Sequence, residues 1–174
     1  MSIQTDIKPG HKLLSRGVVK AGFLALGRTI ESASHFEKDT IEEIAEWPEG
    51  FSFNMTIVPY GPNLVMEKRN GVMKMLHVRK KDDANLIVEI KNLSTAFKMI
   101  TTQLGAHNVF AQHKIGVIGN VGDSMKLIRL IYTAEGYLFP EILNKRILKK
   151  SPKMTLKKHL NRVHILTKGM VLGR

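Results

Sequence analysis

Along this chain the hydrophobic pattern changes period near residue 50. Phe51, Phe53, Met55 and Ile57 alternate with Ser52, Asn54 and Thr56, as in a strand with one face buried and the other wetter. Before that point the pattern is helical. Leu13, Leu14, Val18, Phe23 and Leu26 supply apolar positions, and Asp39-Thr40-Ile41-Glu42 has the spacing of a capping box that starts a helix. Pro48 and Gly50 end the helical stretch.

Beyond the first strand, Pro59-Tyr60-Gly61-Pro62-Asn63 turns the chain into a second run, Leu64–Arg69. Asn70-Gly71 is the favoured dipeptide of a two-residue hairpin because both positions tolerate positive φ, so a third strand, Val72–Arg79, is expected to pair back on the second. Lys80-Lys81-Asp82-Asp83 reads as a polar turn. Leu86, Val88 and Ile90 alternate with Ile87, Glu89 and Lys91, which predicts a fourth strand over Asn85–Lys91 in the same meander. Four short strands on short turns predict an antiparallel sheet.

The period then returns to helical. Leu93, Ala96, Phe97, Ile100 and Leu104 share a face, with Asn92 as N-cap and Gly105 as C-terminal stop. A short helix over Asn108–Gln112, a strand over Lys114–Ile118 and a helix capped by Asp123 follow. In that helix Met125, Leu127, Ile128, Leu130 and Ile131 cover more than one stripe, so it must bury two surfaces. Pro140, suited to a first helical turn, opens an amphipathic segment with Ile142, Leu143, Ile147 and Leu148 among Lys145, Arg146, Lys149 and Lys150. Beyond Pro152 the tail is basic and weakly patterned.

At 174 residues with 43% hydrophobic content, the chain can build one core with extensions. The expected organisation is an N-terminal helical extension over 1–50, one domain over 51–150 and a basic tail over 151–174. The longest greasy passage, Val18–Leu26, is interrupted by Lys20 and Gly22 and falls short of the roughly 18 apolar residues that span a bilayer. The N-terminus lacks an uninterrupted apolar segment with a small-residue cleavage site, so no secretory leader is expected. The absence of cysteine removes disulfides, thiolate metal sites and cysteine nucleophiles, and fits a cytoplasmic protein, peripheral to a membrane at most.

Charge narrows the reading. The formal net charge is +12, yet Glu31–Glu49 is acidic, with seven carboxylates against Lys38. From Lys145 onward there are only basic charged side chains, Lys157 and Lys158 among them. Such a run either solubilises a tail or contacts an anionic partner, and both readings stay open.

No arrangement in the sequence spells out catalysis. Gly116, Gly119 and Gly122 do not make the dinucleotide fingerprint, and Gly119-Asn120 reads better as a tight strand-to-helix turn. Neither His107 with His113 nor His159 with His164 has the i, i+4 spacing of a zinc-binding helix face. Ser94, Ser124 and Asp123 sit at helix starts, where capping accounts for them. The expectation is a protein without enzymatic activity, cofactor or metal. At 6% aromatic content, platforms for base stacking are scarce, which leaves nucleic-acid binding to the basic tail alone.

The stretch Phe110-Ala111-Gln112-His113-Lys114-Ile115-Gly116-Val117-Ile118-Gly119-Asn120-Val121-Gly122-Asp123-Ser124-Met125-Lys126-Leu127 resembles the signature of the sterol carrier protein type 2 family. There a Phe, a Gly-Lys pair, an alternating strand, a Gly-Asn or Gly-Asp and a helix with Met-Lys-Leu follow in this order. Asn85–Ile90 and Leu93–Leu104 are similar to the strand and helix before that signature, and the resemblance covers about residues 51–148. It implies an α+β fold: a five-stranded, mostly antiparallel sheet covered on one face by helices and enclosing an apolar tunnel for sterols, fatty acyl groups or phospholipid tails. It implies no catalytic group. This chain departs at His113, where the family has Gly, and its end, Val171-Leu172-Gly173-Arg174, is not the peroxisomal tripeptide.

On this reading the tunnel walls are Phe97, Ile100 and Leu104 of the helix, Phe110 of the loop, Ile115 and Val117 of the strand, and Met125 and Ile128 of the last helix. Each of these residue types equally serves ordinary core packing. A carrier must load at a membrane, and Lys145, Arg146, Lys149, Lys150, Lys157 and Lys158 are the expected docking residues, basic groups near an anionic surface contributing about 1 kcal/mol each. Two other readings remain: an accessory protein holding a quinone-like or polyprenyl intermediate for membrane-associated biosynthesis, and a basic nucleic-acid or scaffold protein that keeps the fold without a tunnel.

Overall fold

A computed structural model describes residues 13–76, 83–105, 108–109 and 112–138. Its centre is strand β1 (Ser52–Ile57), flanked by β2 (Asn63–Arg69) and β4 (Leu86–Ile90), with β3 (Val72–Leu76) and β5 (Ile115–Ile118) at the edges, in the order β3-β2-β1-β4-β5. Three pairings are antiparallel and β1 with β4 is parallel. The β2–β3 hairpin forms as expected on Asn70-Gly71, both at positive φ (53° and 78°). The expected four-strand meander does not form, because β4 leaves the hairpin and pairs with the other edge of β1. Strand β4 is buried at Leu86, Ile87, Val88 and Ile90, whereas β3 is mostly half-buried. Placing the more apolar strand inside the sheet and the other at its edge is what burial favours.

Phe53, Met55 and Ile57 face the core, as the alternation predicts, but Ser52, Asn54 and Thr56 are buried too rather than wetter. The register sets Asn54 between Val65 and Ile87, in the middle of the sheet. Ser52 meets its polar needs there by donating both its backbone N–H and its hydroxyl to Asn85 Oδ1, at 2.9 and 3.2 Å.

Helix α1 (Leu13–Ala33) lies on the core-facing side of the sheet, against β2 and β3 and three further helices. Val19, Phe23, Leu26, Ile30 and Ala33 form its buried stripe at helical spacing. The start of the stripe differs from the expectation: Leu13 and Leu14 are 74% and 87% exposed and Val18 is also exposed, since Val19, not Val18, is in phase with Phe23 and Leu26. Val19, Phe23, Leu26, Ile30, Ile44 and Trp47, all before position 50, thus belong to the same core as the sheet.

Helix α2 (Lys38–Ala45) starts after Glu37, which makes no side-chain cap; Asp39, the expected start of a capping box, sits in the first turn, where a carboxylate favours the helix dipole. Helix α3 (Leu93–Ile100) is capped as expected by Asn92, whose Oδ1 accepts from Thr95 N–H at 2.8 Å. It ends at Ile100, four residues short of the expected span. Thr101 Oγ1 donates to Phe97 O at 2.7 Å and Thr102 takes φ 62°, so the chain leaves the helix before Leu104.

Helix α4 (Val121–Leu138) is held from the other side by α2 and the loop after it. Glu43 and Arg129 make a two-pronged pair, with Nη2 donating to Oε2 at 2.9 Å, and Lys126 Nζ meets Glu46 at 2.9 Å. Tyr137 hydroxyl donates to Glu37 in the interior. The hydrogen bond from Lys126 holds the Glu46 carboxyl below its ordinary value. Trp47, 2% exposed, stacks on Phe51 at 4.6 Å and donates from Nε1 to Asp123 Oδ1 at 2.9 Å, while Lys68 Nζ donates to Trp47 O at 2.6 Å. Asp123 is therefore a partner of Trp47 and not the helix cap; Asn120 Oδ1 accepts from Gly122 N–H at 2.7 Å instead. The acidic run Glu31–Glu49 finds its cations in Lys68, Lys74, Lys126 and Arg129.

Trp47→Ala removes the stacked ring together with its hydrogen bond and lowers stability in urea denaturation by about 3–5 kcal/mol. Trp47→Phe keeps the stack, loses the Asp123 bond, and costs about 1–2 kcal/mol.

Candidate functional site

Between α1, α3, α4 and the sheet the core does not close. A cavity of about 200 Å³ remains, larger than the roughly 150 Å³ engineered voids that stay dry and admit benzene. Its floor is the sheet, through Met55 of β1, Val88 and Ile90 of β4, and Ile115 and Val117 of β5. Gly22, Phe23, Ala25 and Leu26 of α1 form one wall, and Ala96, Met99 and Ile100 of α3 another. The last wall is α4, with Ser124, Leu127, Ile128, Ile131, Tyr132, Glu135 and Leu138.

Local features set these walls. A Cβ at Gly22 would fall 2.5 Å from Ile100 Cγ2, so only glycine lets α3 approach α1 this closely. Gly119, at φ 131°, turns β5 into α4; a Cβ there would lie 2.8 Å from Asn85 O. His113, standing where the resembled signature has glycine, takes the left-handed φ of 51°, a conformation histidine adopts more readily than most residues. The tight turn before β5 is thus kept despite the substitution.

Of the residues expected to line a tunnel, the structure places Ile100, Ile115, Val117 and Ile128 around this cavity. Phe97 packs half-buried against the core outside the cavity, and Leu104 lies half-buried past the end of α3. Met125 is 51% exposed on the flank of α4, because Ile128, Ile131 and Glu135 define the inward phase. Phe110 and all six expected docking residues, Lys145, Arg146, Lys149, Lys150, Lys157 and Lys158, lie outside the described residues.

Sequence reasoning missed the α1 wall and the polar end of the cavity. Among the described residues, only Ser124, Tyr132 and Glu135 bring polar side chains to it. Ser124 hydroxyl is already spent on Val121 O at 2.7 Å. Glu135 Oε2 is buried without a hydrogen-bond partner, and burial pushes its carboxyl up to about 7. Tyr132 is raised by burial first and then by the nearby Glu135. One signal was readable: Glu135 follows Ile128 and Ile131 at i+7 and i+4, a carboxyl placed in an apolar stripe.

No family model and no curated protein matches this sequence. Among solved structures, the chain is similar to a protein named UbiJ-SCP2 ubiquinone synthesis protein, at 13% identity and a TM-score of 0.47, over 68% of this chain and 97% of that one. It is similar to Sterol Carrier Protein 2 Like 2 from Aedes aegypti, at 12% identity and a TM-score of 0.39, over 66% and 94% of the two chains. The sterol carrier protein domain 2 of Helicoverpa armigera matches at 23% identity and a TM-score of 0.40, over 62% and 83%. The likeness is to sterol-carrier folds. What this cavity can hold follows from its own walls: they offer apolar contact throughout, one unpaired carboxyl, and, among the described residues, no group of three side chains suited to a metal ion.

The Glu135 carboxyl makes stability depend on pH. Its pKa is raised in the folded chain, so between about pH 4.5 and 7 the unfolded chain releases this proton first and stability falls as pH rises through that window. Glu135→Gln is expected to be more stable than the parent by about 1–3 kcal/mol near pH 8 and nearly equal to it near pH 4, in urea titrations across the range.

Proposed function

We propose that this protein binds an elongated apolar ligand, a lipid, in the cavity and carries or presents it without chemical change. The observation that supports this reading is an unfilled apolar void in an otherwise packed core. Burying hydrocarbon contributes about 0.8 kcal/mol per CH₂, so a fatty chain supplies most of its own affinity. Met55 and Met99 in the walls adapt to variable ligand shapes. A filled core would satisfy the same walls with its own side chains and leave no void to line.

Native mass spectrometry of the purified protein, followed by solvent extraction, tests the reading directly: a stoichiometric lipid is expected. In parallel, Ile128→Trp places an indole in the cavity and is expected to weaken uptake of the neutral probe diphenylhexatriene at least tenfold. A protein that retains no lipid and takes up no apolar probe refutes the carrier role.

Delivery to a membrane is the second half of the proposal. Val121 is 74% exposed, Met125 lies one turn on and is exposed too, and Val117, which lines the cavity, is itself partly exposed. An apolar patch beside the void suits a surface that rests on a bilayer while the ligand passes. The net charge of +12 favours an anionic one. Replacing Lys149, Lys150, Lys157 and Lys158 together with glutamine is expected to weaken sedimentation with phosphatidylserine vesicles by tenfold or more and to leave neutral vesicles unaffected. Unchanged sedimentation assigns no role to these lysines.

A further inference from the structure

Among the described residues, Glu135 is the one carboxyl on the lining of the void, whose other polar side chains are Ser124 and Tyr132. Its Oε2 is buried without a partner, and burial is the cause of its raised pKa, with no lysine or arginine contributing. A carboxyl so placed destabilises the empty protein, since a buried polar group left unsatisfied loses its hydrogen bonds to water without replacing them. Leucine at this position would simply continue the stripe of Ile128, Ile131 and Leu138. Among the described residues, neither packing nor an ion pair accounts for the side chain, and Glu135 is one of the residues that line the cavity.

We infer that Glu135 is the polar anchor of the cavity and selects ligands whose buried end carries a neutral hydroxyl, as a long-chain alcohol or a sterol does, over ligands that end in a carboxylate. The inference rests on the carrier reading and deepens it. A hydroxyl suits the carboxyl in both of its forms: it donates to the ionised oxygen, and it can donate to or accept from the protonated group. A ligand carboxylate suits neither. Against ionised Glu135 it meets a like charge at short range, and against protonated Glu135 it buries an anion where the described lining residues offer the carboxyl O–H and the Tyr132 O–H but no cation. Tyr132 is the other titratable side chain on the lining, and its own pKa is raised, which keeps it neutral beside the ligand.

The test is competition against bound diphenylhexatriene in neutral buffer, using two pairs of ligands that share a skeleton and differ at the head: hexadecanol against hexadecanoate, and cholesterol against cholesterol sulfate. The parent protein is expected to prefer the hydroxyl member of at least one pair by roughly tenfold or more, and the pair that shows it tells a straight chain from a ring system. Glu135→Gln, which keeps the size and removes the like charge, is expected to lower that ratio by roughly threefold or more, leaving the part that comes from desolvating the anion. Glu135→Met gives the same comparison with an apolar side chain, and circular dichroism reports whether each variant is folded. Equal displacement within both pairs, or a preference that is unchanged in both variants, overturns the assignment while the carrier reading stands. Failure of the parent to take up diphenylhexatriene at all overturns both.

Discussion

The position of α4 is set by polar contacts on one side and apolar contacts on the other, and the cavity depends on that balance. Leu127, Leu130 and Ala134 draw the helix onto the core, while Glu43, Glu46, Glu37 and the Trp47 indole hold it toward α2. A helix attracted only by its apolar stripe would settle until the void closed, because dispersion attraction grows as apolar surfaces come together and falls away across a gap. With Tyr137, Arg129, Lys126 and Asp123 each occupied by a partner on the α2 side, collapse would have to break buried or two-pronged hydrogen bonds, and leaving such groups unpaired is costly. The acidic stretch between residues 31 and 49 therefore has a structural use within the fold.

Much of the local structure was legible in the chain because local chemistry decides it. Asn70-Gly71 fixed the hairpin, Asn92 the start of α3, and the alternation at Phe53, Met55 and Ile57 the core face of β1. What escaped was non-local. The parallel pairing of β1 with β4 leaves no mark in either strand's own pattern, and the burial of Ser52, Asn54 and Thr56 follows only from that placement. Asp123 looked like a cap because nothing near it in sequence announces an indole 76 positions away.

The candidate site was half legible for the same reason. Ile100, Ile115, Val117 and Ile128 could be named because they face inward on elements that the periodicity located. The α1 wall was out of reach: Gly22 matters through what it lets Ile100 do, and a glycine within a helical pattern reads as a weakness until its neighbour is known. Met125 could not be told from a lining residue because a helix with apolar residues on more than one stripe does not say which stripe is innermost.

The strand order also has a consequence for how the chain reaches this fold. Strands β1, β2 and β3 are consecutive and can zip together through local turns, whereas β4 must arrive from beyond the hairpin and lie parallel on the far edge of β1. Until it does, the central strand presents a bare row of backbone donors and acceptors flanked by Phe53, Met55 and Ile57. Contacts distant in sequence form slowly, and an unpaired apolar edge invites a second chain to pair there. The window before β4 docks is thus the period in which newly made chains are most exposed to misassociation, and the speed of that one docking step governs how much protein survives to fold.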